Sequence, residues 1–209
     1  MIYCAVIGDI VHSREIKDRQ AFQNRFKEVI SDINLKYSKY IASSLTVTLG
    51  DEFQGLLNIP YISYEIIMDI KKRLSAIDLV FGVGIGTMDT DFSKDISIGS
   101  DGPAYHYARE MVIRAKKKRP TICYKSNSIE DELINSLIYF IESCSSSRTK
   151  RQSHIVDLYN NLESQREVAI TLNIKQPVVS RALKGSFFNE ITTAEESIIN
   201  FLKNSYGDI

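Results

Sequence analysis

The sequence predicts an α+β protein: a ferredoxin-like β-α-β-β-α-β unit followed by a small all-α unit with a helix-turn-helix. Three observations carry this. Strand and helix patterns alternate in that order up to residue 88. Residues 154–209 hold only helical patterns. Between 164 and 185, small, turn and apolar residues recur at the spacing of two crossed helices.

The first run, Ile2–Ile7, is nearly all apolar and reads as a strand buried on both faces, ending at Gly8-Asp9. Phe22, Phe26, Val29, Ile30 and Ile33 then repeat at steps of three and four, marking an amphipathic helix over 18–37 that starts near Asp18. Leu45, Val47 and Leu49 alternate up to Gly50-Asp51-Glu52, and the apolar run resumes at Phe53, which predicts a hairpin. After Pro60, Ile62, Ile66, Ile67, Ile70 and Leu74 predict a second helix, and 77–88, rich in glycine and β-branched residues, a strand. A helix at 102–117 and a short strand at 121–124 extend the unit. A helix from Ile129 to Ile141 leads into a Ser-rich, basic stretch, 143–153, with the composition of a linker. The expected organisation is therefore 1–128, a connection over 129–153, and 154–209.

Bulk properties exclude several classes. Lys and Arg number 26 and Asp and Glu 26, so no overall field draws the chain to nucleic acid or membrane; such a partner must meet a local patch. Cys4, Cys123 and Cys144 are far apart with no CxxC pair, which fits a reducing compartment and no zinc site. No apolar run approaches the roughly 20 residues of a membrane span. A cytoplasmic location and no membrane partner are expected.

In the predicted strand order, strand 1 lies antiparallel beside strand 3, so its C-terminal end meets the turn between strands 2 and 3. That brings Asp9 and Asp51 to one sheet edge. Two carboxylates there, each preceded by glycine, suit Mg²⁺ or Mn²⁺ and a nucleotide's phosphates. As plain structure, Asp9 can cap a helix, Asp51 and Glu52 can be turn residues, and Arg14 can pair with Glu15 or Asp51. His12 and Ser13 follow strand 1, where a phosphate can lie, though His12 also reads as a plain surface histidine, and Arg109 either binds phosphate with both guanidinium nitrogens or forms a surface salt bridge. The basic run 113–120 is either a phosphate grip or a solvated helix end favoured by the macrodipole.

"AVIGDIVHSRE" followed by "VTLGDEFQGLL" resembles the palm-type domain of class III nucleotidyl cyclases. That resemblance implies metal binding by Asp9 and Asp51, helped by the carbonyl of Ile10. Glu52 is also similar to the acidic turn of diguanylate cyclases. "IGDIVHSRE", "LGDEFQG" and "SDGPAYHYARE" together resemble the SatD family, which combines such a domain with a C-terminal DNA-binding-like region. One departure stands out. Cyclases carry Asn and Arg four residues apart on the helix after their fourth strand; here Arg109 is preceded at that distance by Tyr105, and His106 and Glu110 share the helical face.

In the C-terminal unit, Ser164 and Glu167 are spaced as a capping box, and Ala169, Asn173 and Val179 stand at offsets 0, +4 and +10. Val168, Leu172, Ile174, Val179 and Ala182 fit the inner faces of two helices, the second opening at Gln176-Pro177. Its outer face would present Gln176, Ser180, Arg181 and Lys184 to DNA. Locally Arg148, Lys150, Arg151, Arg166, Lys175, Arg181 and Lys184 outnumber Asp157, Glu163 and Glu167. A helix over 193–204, capped by Thr193, closes the unit or a dimer seam; a homodimer is left open. The leading expectation is a DNA-binding regulator with a nucleotide- and metal-binding domain. The competing ones are a metal-dependent cyclase or phosphotransferase and a non-catalytic interaction protein.

Overall fold

The computed structural model describes every residue except Leu49, Lys118, Arg119, Asp208 and Ile209, together with the side chain of Arg14. Two compact units divide the chain: Met1–Ser136 with Ile199–Ile209, and Leu137–Ile198. Among the described residues there are five strands and eight α-helices. No helix of those residues is long and apolar enough to cross a membrane.

In the first unit the strands are β1 (Tyr3–Ile10), β2 (Ile41–Val47), β3 (Glu52–Leu57), β4 (Leu79–Gly86) and β5 (Ile122–Lys125). They form one mixed sheet in the order β2-β3-β1-β4-β5; the first four pair antiparallel, and β5 adds parallel to β4. The centre of the sheet is β1, buried from Cys4 onward. It runs three residues past the expected end, because Gly8, Asp9 and Ile10 continue the ladder with β4 and Gly8 and Asp9 also that with β3. Asp9 is thus a strand residue held on both sides, not a loop or capping residue.

Helices cover both faces. On one, α1 (Arg19–Lys36) buries Phe26, Val29, Ile30 and Ile33, and α2 (Ser63–Arg73) buries Ile66, Ile67 and Ile70. Phe26, Phe53 and Phe81 meet there ring to ring, with centroids about 6 Å apart. The Asp18 side chain caps α1 by accepting from the Ala21 amide.

The other face is covered by α3 (Pro103–Lys117), seated on β4. The alternating Gly82 and Gly84 of β4 point toward it. A Cβ on Gly82 would come within 2.1 Å of the Ala108 carbonyl, and one on Gly84 within 2.0 Å of that of Ala104. With no side chains between them, helix backbone rests on sheet backbone. Ala5, Ile7, Leu56 and Val80 complete this core with Ala104, Ala108, Met111 and Val112.

The 143–153 stretch is not an open linker. It is helical except for Ser147–Thr149, where α4 (Asp131–Ser146) gives way to α5 (Lys150–Leu162). Ser143 and Ser146 donate their hydroxyls back to carbonyls of their own helix, and Thr149 opens α5 with a complete capping box.

In the second unit, α5, α6 (Gln165–Thr171) and α7 (Gln176–Gly185) share a core of Ile155, Val156, Val168, Ala169, Val179 and Leu183. The predicted inner-face residues Leu172, Ile174 and Ala182 pack against it. Ser164 caps α6 by accepting from the Glu167 amide, and Asn173 turns the chain with φ of 50°. The last helix, α8 (Phe188–Tyr206), starts earlier than its predicted cap, Thr193. Phe187 in the left-handed region separates it from α7, and Phe188 packs edge-on against Tyr159 at 5.1 Å. That tertiary contact draws the first turn of α8 in.

Candidate functional site

The site lies where β1 ends beside the start of β3. Asp9 and Glu52 are register partners on these antiparallel strands, so their side chains stand on the same face. Like charges in that position repel. The Ile10 amide donates to the Asp51 carbonyl at 3.0 Å, extending the pairing by one residue and placing Asp51 beside Asp9. Gly50, with φ of 87°, permits the turn that feeds this edge.

Two cations from α3 pair with two of the three carboxylates. Lys116 donates to Asp9 Oδ2 at 2.7 Å. Arg109 forks onto Glu52, with Nη2 3.0 Å from Oε1 and Nη1 on Oε2. The two stand seven residues apart, about two turns, so one helix face supplies both. Thr48 also donates to the Glu52 carboxylate, at 3.3 Å.

Asp9 is 7% exposed. Burial pushes its carboxyl above the usual range; the Lys116 ammonium pulls it down, and the charges of Asp51 and Glu52 push it further up. The neighbouring Lys116 ammonium favours the ionised form of Asp9 against that burial. An open cleft of about 490 Å³ fronts the edge, lined by Asp9, Ile10, Val11, His12, Asp51, Glu52 and Lys116.

Of the expected metal ligands, Asp9, Ile10 and Asp51 come together at this edge. Ser13 reaches it too, donating to Asp51 Oδ2 at 2.7 Å. His12, in the left-handed region, lines the cleft, and its ring lies 3.5 Å from Glu15 in solvent. Arg109 stands on Glu52 rather than free. The side chain of Arg14 lies outside the described residues. His106 and Glu110 pair instead with Asp101 and Lys125. Tyr105, at the position where cyclases place Asn, is buried in the core beneath α3.

The sequence offers Glu52 only as a turn residue or by its likeness to diguanylate cyclases and leaves the 113–120 run undecided; the structure makes Glu52 and Lys116 central. Two signals point to them. Alternation along β3 puts Glu52 on the face of Leu56, and the glycines of β4 bring α3 close above it. Lys118 and Arg119 of that run lie outside the described residues.

Among the described residues, no group of three His, Cys, Asp or Glu is placed to enclose a metal ion. The donor chemistry nonetheless fits a hard divalent cation: carboxylate oxygens converge on one cleft, and a cation, the Lys116 ammonium, already rests on one of them.

On α7, Gln176, Ser180, Arg181 and Lys184 are all exposed. Gln176 bonds Gln165, and Arg181 Nε donates to the Pro177 carbonyl at 3.3 Å. Neither Arg181 nor Lys184 meets a carboxylate among the described residues.

The SatD family profile matches residues 3–196. The chain belongs to the SatD family. Solved structures similar to this SatD-family chain include a bacterial light-regulated adenylyl cyclase, at 12% identity and a TM-score of 0.45, covering 59% of this chain and 74% of that one. Another is the adenylyl cyclase CyaB from P. aeruginosa, at 13% identity and a TM-score of 0.41, covering 59% and 76%. A regulator of polyketide synthase expression from Bifidobacterium adolescentis matches at 14% identity and a TM-score of 0.31, over 96% and 85%. No curated protein matches the chain.

Proposed function

We propose that this protein is a DNA-binding regulator whose N-terminal unit, of ferredoxin-like palm type, binds a nucleotide with Mg²⁺ or Mn²⁺. In this reading the C-terminal unit is a helix-turn-helix. The observation that carries the first half is the convergence of Asp9, Asp51, Glu52 and Lys116 on one open cleft, with Arg109 bound to Glu52 beside it. Asp9 and Asp51 would hold the metal with the Ile10 carbonyl; Ser13 orients Asp51 through its hydroxyl; and His12 lines the side where phosphates enter. The bound ion would screen phosphate charge and draw the nucleotide to the edge.

Binding without turnover is the better-supported outcome. The only residue at the cyclase Asn position is Tyr105, buried against the sheet, and Arg109 is engaged with Glu52. Transition-state stabilisation needs donors aimed at the developing charge, and neither residue is so placed.

Support for DNA binding comes from α7. Its polar and cationic residues stand exposed on a small helical core, types that contact phosphates and base edges. Proline in the first turn and Asn173 before it present that face as a rigid helix.

Calorimetry with ATP or GTP in Mg²⁺ or Mn²⁺, followed by product analysis, tests the first half. Saturable binding with unchanged nucleotide, lost in Asp9→Ala and Asp51→Ala, is the expected result. Turnover lost in the same variants would replace the sensor by an enzyme, and no binding would remove the site. For the second half, a mobility shift at low salt should show Arg181→Ala binding at least about tenfold more weakly. Equal affinity would dismiss α7 as the reading helix.

A further inference from the structure

We propose that Lys116 is a built-in cation of the acidic edge, which holds Asp9 while the site is empty and yields that place to the divalent ion. The displaced ammonium then pairs with the phosphates of the incoming nucleotide. The site thereby selects a metal–triphosphate complex over the free metal. This inference rests on the nucleotide- and metal-binding reading above.

The two α3 cations differ in how readily they can leave. Arg109 holds Glu52 through two nitrogens of a rigid fork, which resists exchange. Lys116 holds Asp9 through a single contact at 2.7 Å, at the end of a flexible four-carbon stem. Asp9 is nearly buried, yet the Lys116 side chain is 44% exposed, so the ammonium reaches it from the wall of the open cleft. Lys116 also lies in the last turn of α3, next to the helix end at Lys117. A small swing carries its charge from the carboxylate into the cleft without disturbing the helix seat on Gly82 and Gly84.

Charge balance gives the exchange its direction. Three carboxylates face two cations, leaving the edge with one negative charge in excess. A divalent ion reverses that sign, and a phosphate chain restores it. Metal alone must therefore displace Lys116 with nothing to receive it, whereas a metal–triphosphate supplies the receiving anion.

The test uses the full chain with Mn²⁺ alone, followed by electron paramagnetic resonance, and Mg²⁺–ATP, followed by calorimetry. An adjacent cation shifts a carboxylate's affinity for a proton by about ten- to a thousandfold, which sets the scale for metal competition. Lys116→Met and Lys116→Gln should both bind Mn²⁺ at least about tenfold more tightly than the wild type, and Mg²⁺–ATP at least about tenfold more weakly. The glutamine variant keeps a hydrogen-bond donor for Asp9, so it decides the matter if the methionine variant does not fold. Wild-type binding of Mg²⁺–ATP with no gain in Mn²⁺ affinity in the variants overturns the role of Lys116 and leaves the site standing. Absence of Mn²⁺ and Mg²⁺–ATP binding in all three proteins overturns both.

Discussion

At the acidic edge, Lys116 and Arg109 are engaged by Asp9 and Glu52, whereas on α7 Arg181 and Lys184 stand exposed with no carboxylate partner among the described residues. The same side-chain types thus sit in opposite states. Where strand register forces carboxylates together in a buried place, the fold supplies cations from another element, and in the proposed reading a ligand displaces the looser of them, Lys116. Where cations lie on a solvated helix, a polyanion would meet them without displacing a partner. The first arrangement couples binding to stability and the second leaves stability alone.

The sharpest way to break that contrast is to lift α3. Gly84→Ala drives a Cβ against the Ala104 carbonyl and shifts the helix that carries both cations. Overpacking of this kind costs about 2–3 kcal/mol, read from urea unfolding. Retained stability would show that α3 is not seated on those glycines.

Next in size is a pair of arginines. Arg109→Ala strands Glu52, whose side chain is 12% exposed, and should cost about 1–2 kcal/mol, held below a fully buried pair because Arg109 is half in solvent. Arg181→Ala should change stability by less than about 0.5 kcal/mol. Equal losses in the two variants would erase the distinction between the regions.

What was legible followed from local patterning. The strands, the α1 and α2 faces, the hairpin turn and the left-handed Asn173 all rest on spacing or on one residue's conformational preference, and the structure places them as expected except that β1 runs on to Ile10. Glu52 and Lys116 depend on tertiary contacts: Lys116 reaches Asp9 across 107 residues of sequence, through a helix position set by glycines of a third element. The glycines of 77–88 read as strand composition, although their alternation on one face was the clue to α3. The early start of α8 had the same origin, an aromatic contact between Phe188 and Tyr159 that no local rule contains.

Smaller effects sharpen the comparison. Asn173→Ala, at φ of 50°, should destabilise the second unit by about 1 kcal/mol, while Asn173→Gly should leave it unchanged. An equal loss in both would assign the effect to the asparagine side chain rather than to the backbone.

Two carboxylates separate by pH. Burial pushes Asp9 up despite Lys116, so its folded value exceeds its unfolded one, and the native state loses stability from this group as pH rises through that interval. Burial also acts on Asp69, but hydrogen bonds from Lys36 and Arg73 bring it below its ordinary value. Its contribution is therefore present above the unfolded value and lost as pH falls through the folded one. Urea unfolding from about pH 3 to pH 7 should show Asp9→Asn gaining on the wild type as pH rises, and Asp69→Asn gaining as it falls. Parallel curves would contradict both assignments.

In the proposed reading, the edge between β1 and β3 receives a divalent cation with a nucleotide. Anomalous scattering from crystals grown with Mn²⁺ and ATP tests it most directly. A manganese peak between the carboxylates of Asp9 and Asp51, with Lys116 turned from Asp9 toward the phosphates, is the predicted result. Manganese bound elsewhere, or Lys116 still on Asp9 in a nucleotide-bound crystal without metal at the edge, would contradict the account.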